Sequence, residues 1–144
     1  MSLSILLVDD SDVNLMVMSL MLKKLGYRAD LAKNGIEAIV ALEHHSYDIV
    51  LMDIQMPEMD GLEATKIIRQ RGFQDPKIIV VTSLNNYREI CLDAGADDFL
   101  TKPLDVRKLR DVMKCHMPIP SLLPSNFLEV NASDLCKAEI SPVI

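Results

Sequence analysis

Ile5-Leu6-Leu7-Val8 runs straight into Asp9-Asp10-Ser11-Asp12, and from Val13 to Leu25 the chain changes to a helical rhythm. An apolar run with no polar break suits a strand covered on both faces, as in a parallel sheet. The acidic cluster ends that strand, and Gly26 follows the helix where a glycine C-cap belongs. The unit then recurs. Further apolar runs lie at Tyr27–Ala32, Ile49–Met52, Ile78–Val81 and Phe99–Leu100, alternating with helix-period segments at Ile36–His44, Leu62–Arg69, Tyr87–Ala94 and Val106–Lys114. Asn34 or Lys33 opens the second helix, Asp60-Gly61 opens the third and Gly95 closes the fourth. Strand–helix repeats with short links imply a parallel sheet, right-handed crossovers and helices on both faces.

The chain of 144 residues has room for one ordinary domain and a short extension. With 49% hydrophobic residues it fills a core, yet no apolar run approaches the roughly 20 residues of a membrane helix. The first strand follows no basic leader, so the N-terminus does not read as a signal peptide. Cys91, Cys115 and Cys136 are odd in number and scattered, which argues against a disulfide framework and for a reducing cytoplasm. A net charge of −6 argues against nucleic acid as a direct partner. Beyond His116 the texture changes, with Pro118, Pro120, Pro124 and Pro142 accounting for four of the seven prolines. The expected organisation is a domain over residues 4–116 and a proline-rich extension over 117–144. Leu122, Leu123, Phe127 and Leu128 make that extension too apolar for a solvated linker. It is expected to dock on a neighbouring chain or near Phe99, with Ser133-Asp134 capping a short helix through Glu139. The methionines dense in Val13–Met21 read as core filler, and His44-His45 as residues favoured by a helix C-terminus.

Asp9 and Asp10 end the first strand, Asp53 the third and Thr82 the fourth, while Lys102 follows the fifth. Ligands of open α/β sheets bind beyond the carboxyl ends of strands, where strand order reverses. Three carboxylates brought there repel one another unless a cation joins them, and a hard cation with oxygen ligands points to Mg²⁺. A lysine and a hydroxyl beside them suit an anion with several oxygens, namely phosphate. Each element alone has a plain reading: Asp9-Asp10-Ser11-Asp12 as an N-cap, Asp53 and its successors as an acidic turn. Their joint placement at successive strand ends favours a site.

Ile5-Leu6-Leu7-Val8-Asp9-Asp10, Met52-Asp53-Ile54-Gln55-Met56-Pro57-Glu58-Met59-Asp60-Gly61, Val81-Thr82 and Asp97-Asp98-Phe99-Leu100-Thr101-Lys102-Pro103 together resemble a response-regulator receiver domain. The wording is most similar to receivers attached to hybrid histidine kinases. This resemblance implies a flavodoxin-like (βα)5 doubly wound parallel sheet of strand order 2-1-3-4-5, with a C-terminal extension. It implies a signalling module that takes a phosphoryl group from a histidine kinase or a histidine phosphotransfer protein. Asp53 would be the nucleophile and the modified residue. Asp10, Asp53 and the Gln55 carbonyl would ligate Mg²⁺, with Asp9 acting through metal-bound water. Lys102 and Thr82 would hold phosphoryl oxygens, and the Lys102–Pro103 bond would be cis. Thr82 drawn inward would open space for Phe99, repacking the face of the fourth helix, fifth strand and fifth helix, a face that also offers a dimer contact. The tail offers another. Gln55 and Leu84 would flank the approach of hydrolytic water, and the link from Thr82 to Lys102 is shorter than in many receivers. Two other classes remain open on the residues. An aspartyl-nucleophile phosphatase needs a second carboxylate at position 55, where this chain has Gln. A phosphate-independent docking domain would keep the fold without needing the acceptor set.

Overall fold

The computed structural model describes residues 3–54, 56, 59–73, 76–83 and 88–116; the expectations for Gln55, Leu84 and residues 117–144 fall outside them. In chain order the elements are β1 (Ile5–Val8), α1 (Asp12–Lys24), β2 (Ala29–Ala32), α2 (Gly35–His44), β3 (Ile49–Asp53), α3 (Gly61–Gln70), β4 (Lys77–Thr82), α4 (Arg88–Asp93), β5 (Asp98–Thr101) and α5 (Val106–His116). All strand pairings are parallel and the order is β2-β1-β3-β4-β5.

Alternation along the strands divides the core into two layers. Ile5, Leu7, Ile49, Leu51, Ile79 and Val81 pack with Leu15, Met18 and Leu22 of α1 and Leu109 and Met113 of α5. Leu6, Val8, Val50, Met52, Ile78 and Val80 face α2, α3 and Cys91 of α4. The uninterrupted apolar runs of β1 and β3 are thus explained by two covered faces. β2 departs from expectation. It is shorter than Tyr27–Ala32, and of its residues only Ala32 is buried, because it is an edge strand with Asp30 and Leu31 turned to solvent.

Local chemistry sets the helix ends. The Ser11, Asn34 and Asp60 side chains each accept a backbone N–H in the first turn of α1, α2 and α3. α1 ends with Gly26 at φ +93°, where the Gly26 N–H donates to Lys23 O at 3.0 Å and the Tyr27 N–H to Leu22 O at 2.8 Å. Arg69, in the last turn of α3, donates to the carbonyls of Gly95, Phe73 and Pro76 and to Asp97 Oδ2. One guanidinium thereby fixes the start of β4 and the turn before β5.

Two further expectations change. The methionine-rich first helix is not all core filler: Met18 is buried, but Met16, Val17 and Leu20 are exposed, since α1 touches the sheet along one row only. Cys91 is a free buried thiol, and Cys115, in the last turn of α5, is disulfide-bonded. No helix among the described residues is long and apolar enough to cross a membrane.

Candidate functional site

β1 and β3 are neighbours at the middle of the sheet, and the chain leaves β1 toward β2 on one side before crossing to β3 on the other. That reversal opens a crevice at their carboxyl ends. Asp9 follows β1 and Asp53 is the last residue of β3, so both carboxylates enter the same crevice. Asp9 is 1% exposed and Asp53 5%, while Asp10 faces solvent. Oxygens of the three carboxylates lie within 4.8 Å of one another.

Buried acids need partners. Asp9 Oδ1 accepts the Ser11 N–H at 2.9 Å and Oδ2 accepts Asn14 Nδ2 at 3.3 Å, so the start of α1 is folded around it. Lys102 Nζ reaches across from the loop after β5, 3.1 Å from Asp53 Oδ1 and 3.7 Å from Asp9 Oδ2. The Lys102 N–H donates to Thr82 O at 2.7 Å and the Lys102–Pro103 peptide is cis. Burial pushes the Asp53 carboxyl above its ordinary value, the Asp9 charge adds to that, and the hydrogen bond and charge of Lys102 oppose it only in part.

The turn after β3 is pressed against the strand end. The Ile54 N–H donates to Val81 O and the Gly61 N–H to Ile54 O. A Cβ on Gly61 would lie 2.1 Å from the Asp53 carbonyl oxygen, so α3 begins as close to Asp53 as a glycine permits.

Thr82 is buried at the end of β4. Val80 pairs with Phe99 and Thr82 with Thr101, which puts Thr82 on the sheet face of Val80 and Phe99. Phe99 is partly buried against the layer that contains Ile78 and Val80. Asp9, Asp10, Asp53 and Lys102 therefore meet, Thr82 borders them, and Phe99 lies farther down the neighbouring strand. Gln55 lies outside the described residues. Reading the sequence missed Asn14 and took Gly61 only as the opening of α3, not as a residue packed on the Asp53 carbonyl. An Asn three residues after an N-cap Ser was the available signal for the first, but its hydrogen bond to Asp9 depends on how α1 turns back.

Two carboxylates withdrawn from water, a third beside them and one lysine leave an excess of oxygen donors over cations, which fits a hard divalent ion such as Mg²⁺.

The family model of the response regulator receiver domain matches residues 5–114. The chain is 40% identical over 123 residues to hybrid signal transduction histidine kinase G of Dictyostelium discoideum, covering 81% of this chain and 4% of that protein. It spans 15% or less of the length of several histidine kinases it matches. Among solved structures, the receiver domain of the sensor histidine kinase PA1611 of Pseudomonas aeruginosa, with a magnesium ion coordinated in its active-site cleft, superposes with a TM-score of 0.72 at 40% identity. That match covers 81% of this chain and 98% of the other. The receiver domain of Ssk1 in complex with the histidine phosphotransfer protein Ypd1 of Saccharomyces cerevisiae gives a TM-score of 0.75 at 27% identity, covering 80% and 88%. On this match the chain belongs to the response-regulator receiver domains, the signalling modules of two-component systems.

Proposed function

We propose that this receiver accepts a phosphoryl group on Asp53 from the phosphohistidine of a histidine kinase or histidine phosphotransfer protein. The observation that carries the reading is Lys102 Nζ set between Asp53 and Asp9 at the carboxyl ends of the central strands. An Asp53 carboxylate oxygen attacks phosphorus, the phosphorus–nitrogen bond breaks, and the released imidazole nitrogen takes up a proton from water. Negative charge then spreads over the equatorial oxygens, and the Lys102 ammonium is in place to meet it. Asp9, Asp10, Asp53 and the Gln55 carbonyl are the residues that would hold Mg²⁺, which supplies further neutralisation of that charge when bound. Asn14 and the Ser11 amide keep the Asp9 carboxylate turned into the site. The Thr82 hydroxyl would hydrogen-bond a phosphoryl oxygen, and its movement would be read by Phe99 on the same sheet face. The complex of Ypd1 with a receiver supports a phosphotransfer protein as the partner class. Working with such a donor, the domain would lie in the cytoplasm.

Incubated with Mg²⁺ and a small acyl phosphate, the full chain should gain one base-labile phosphoryl group. Asp53→Asn should gain none, and chelation of the metal should slow labelling strongly. Undiminished labelling of Asp53→Asn by mass spectrometry would remove Asp53 from the role.

A further inference from the structure

Cys115 is buried on the side of α5 that faces away from the sheet. Leu109 and Met113 turn α5 inward and fill the core layer shared with α1. Cys115 lies two residues past Met113, about 200° around the helix, so it leaves α5 on the other side. Among the described residues it belongs to neither core layer, yet it is only 8% exposed. Its cover therefore comes from elsewhere.

Cys115 is also disulfide-bonded. The chain has three cysteines, and Cys91 is a free thiol buried in the opposite layer. That leaves Cys136, or the Cys115 of a second copy. Bridged cysteines need Cβ atoms about 4 Å apart. Two equivalent sulfurs, each so deeply covered, cannot approach that closely unless two helix ends unwind. Cys136 requires no unwinding. The twenty residues between, 116–135, can span about 70 Å when extended, and closing a loop of that length costs little more than closing a shorter one. Leu122, Leu123, Phe127, Leu128 and Val130 fall inside this loop and offer apolar cover for the end of α5.

We infer that Cys115 and Cys136 are a thiol–disulfide pair, a redox modification site that ties the segment 117–144 back over the last turn of α5 when oxidised and releases it when reduced. The reversibility rests on the placement of the domain in the cytoplasm, where a protein disulfide is ordinarily transient and redox-sensing. The oxidant is a low-molecular-weight disulfide. One cysteine thiolate attacks it, forming a mixed disulfide and releasing one small thiol. The other cysteine thiolate then displaces the second small thiol, so two protein thiols are oxidised and one small disulfide is reduced. His116, next to Cys115, holds Asp98 at 2.9 Å, so the bond bears on the end of α5 and the start of β5. Asp53 lies at the opposite ends of the strands and stays open in both states.

The test holds the full chain in glutathione buffers of graded ratio, blocks free thiols with iodoacetamide and maps the peptides by mass spectrometry. In oxidised glutathione Cys115 should be joined to Cys136. In excess reduced glutathione, without denaturant, that bond should open, and Cys91 should stay reduced throughout. Amide hydrogen exchange in the last turn of α5 should be at least about tenfold slower in the oxidised chain. Cys136→Ser should show the faster exchange in every buffer. Cys115 bridged to Cys91 or to a second chain overturns the inference, as does a chain that forms no bond. So does a bond that opens only after denaturation, which is then a permanent staple, or exchange that ignores the redox state. Acyl-phosphate labelling of Asp53 in the same samples is expected in both states; its loss in both would count against the acceptor and not against the thiol pair.

Discussion

Asp53 sits where its own charge is disfavoured. Burial and the Asp9 charge raise its affinity for a proton, and Lys102 offsets only part of this. The raised native value means that ionisation costs the folded state more than the unfolded chain. That cost is absent below the unfolded value of 3.8 and grows as pH rises through the native value. In chelator at pH 7, Asp53→Asn should therefore melt higher than the native chain, each kcal/mol appearing as roughly 4 °C. The gain should vanish near pH 3, and Mg²⁺ should reverse the order by binding the native site alone. Calorimetry is the suitable measurement, since the chain has no tryptophan. Asp9, Asp10, Asp53 and Lys102 were legible in the sequence because each ends or follows an apolar run whose geometry leaves it little choice. Asn14 was not, because its place beside Asp9 follows from the cap at Ser11 rather than from a strand end.

Among the elements, α3 begins under the tightest constraint. A side chain on Gly61 meets backbone, not the flexible end of another residue. Gly61→Ala must displace the turn after β3 and should cost about 2–3 kcal/mol in denaturant melts, with slower phosphorylation because the shifted carbonyl belongs to Asp53. Gly26→Ala is the useful contrast. Nothing lies within 4 Å of its Cβ position, so only the positive φ opposes it, at about 1 kcal/mol, and labelling should be untouched. The existence of these helices was plain from their period and punctuation. Which side of α1 turns inward was not, because apolar residues occupy both rows and only contact with the sheet and α5 decides between them. β2 was over-extended for a related reason: an apolar run does not announce whether its strand is central or at the edge.

Across the whole molecule, the strand–helix repeats implied a parallel sheet, but the order of the strands came from family resemblance, since periodicity says nothing about which strand lies beside which. The far pole of the sheet has its own fastening. Asp98, at the start of β5, accepts from His116 Nε2 at 2.9 Å in the last turn of α5. Burial alone would raise the Asp98 carboxyl, but the His116 hydrogen bond, the Phe99 amide and the charges of His116 and Arg88 outweigh it and hold it below its ordinary value. A lowered native value stabilises the fold above the unfolded value of 3.8 and is lost as pH falls through the native value. Asp98→Asn should therefore cost on the order of 1 kcal/mol at pH 6, and the difference from the native chain should close in strong acid, as urea titrations would read. The same fastening fixes where the domain can be joined to other sequence. β1 sets out from this pole and α5 returns to it, while the carboxylate crevice opens at the opposite one. Residues 4 and 116 therefore both lie at the pole opposite the crevice, so the points at which a receiver of this build can be joined to other sequence are the length of the sheet's strands away from its acceptor.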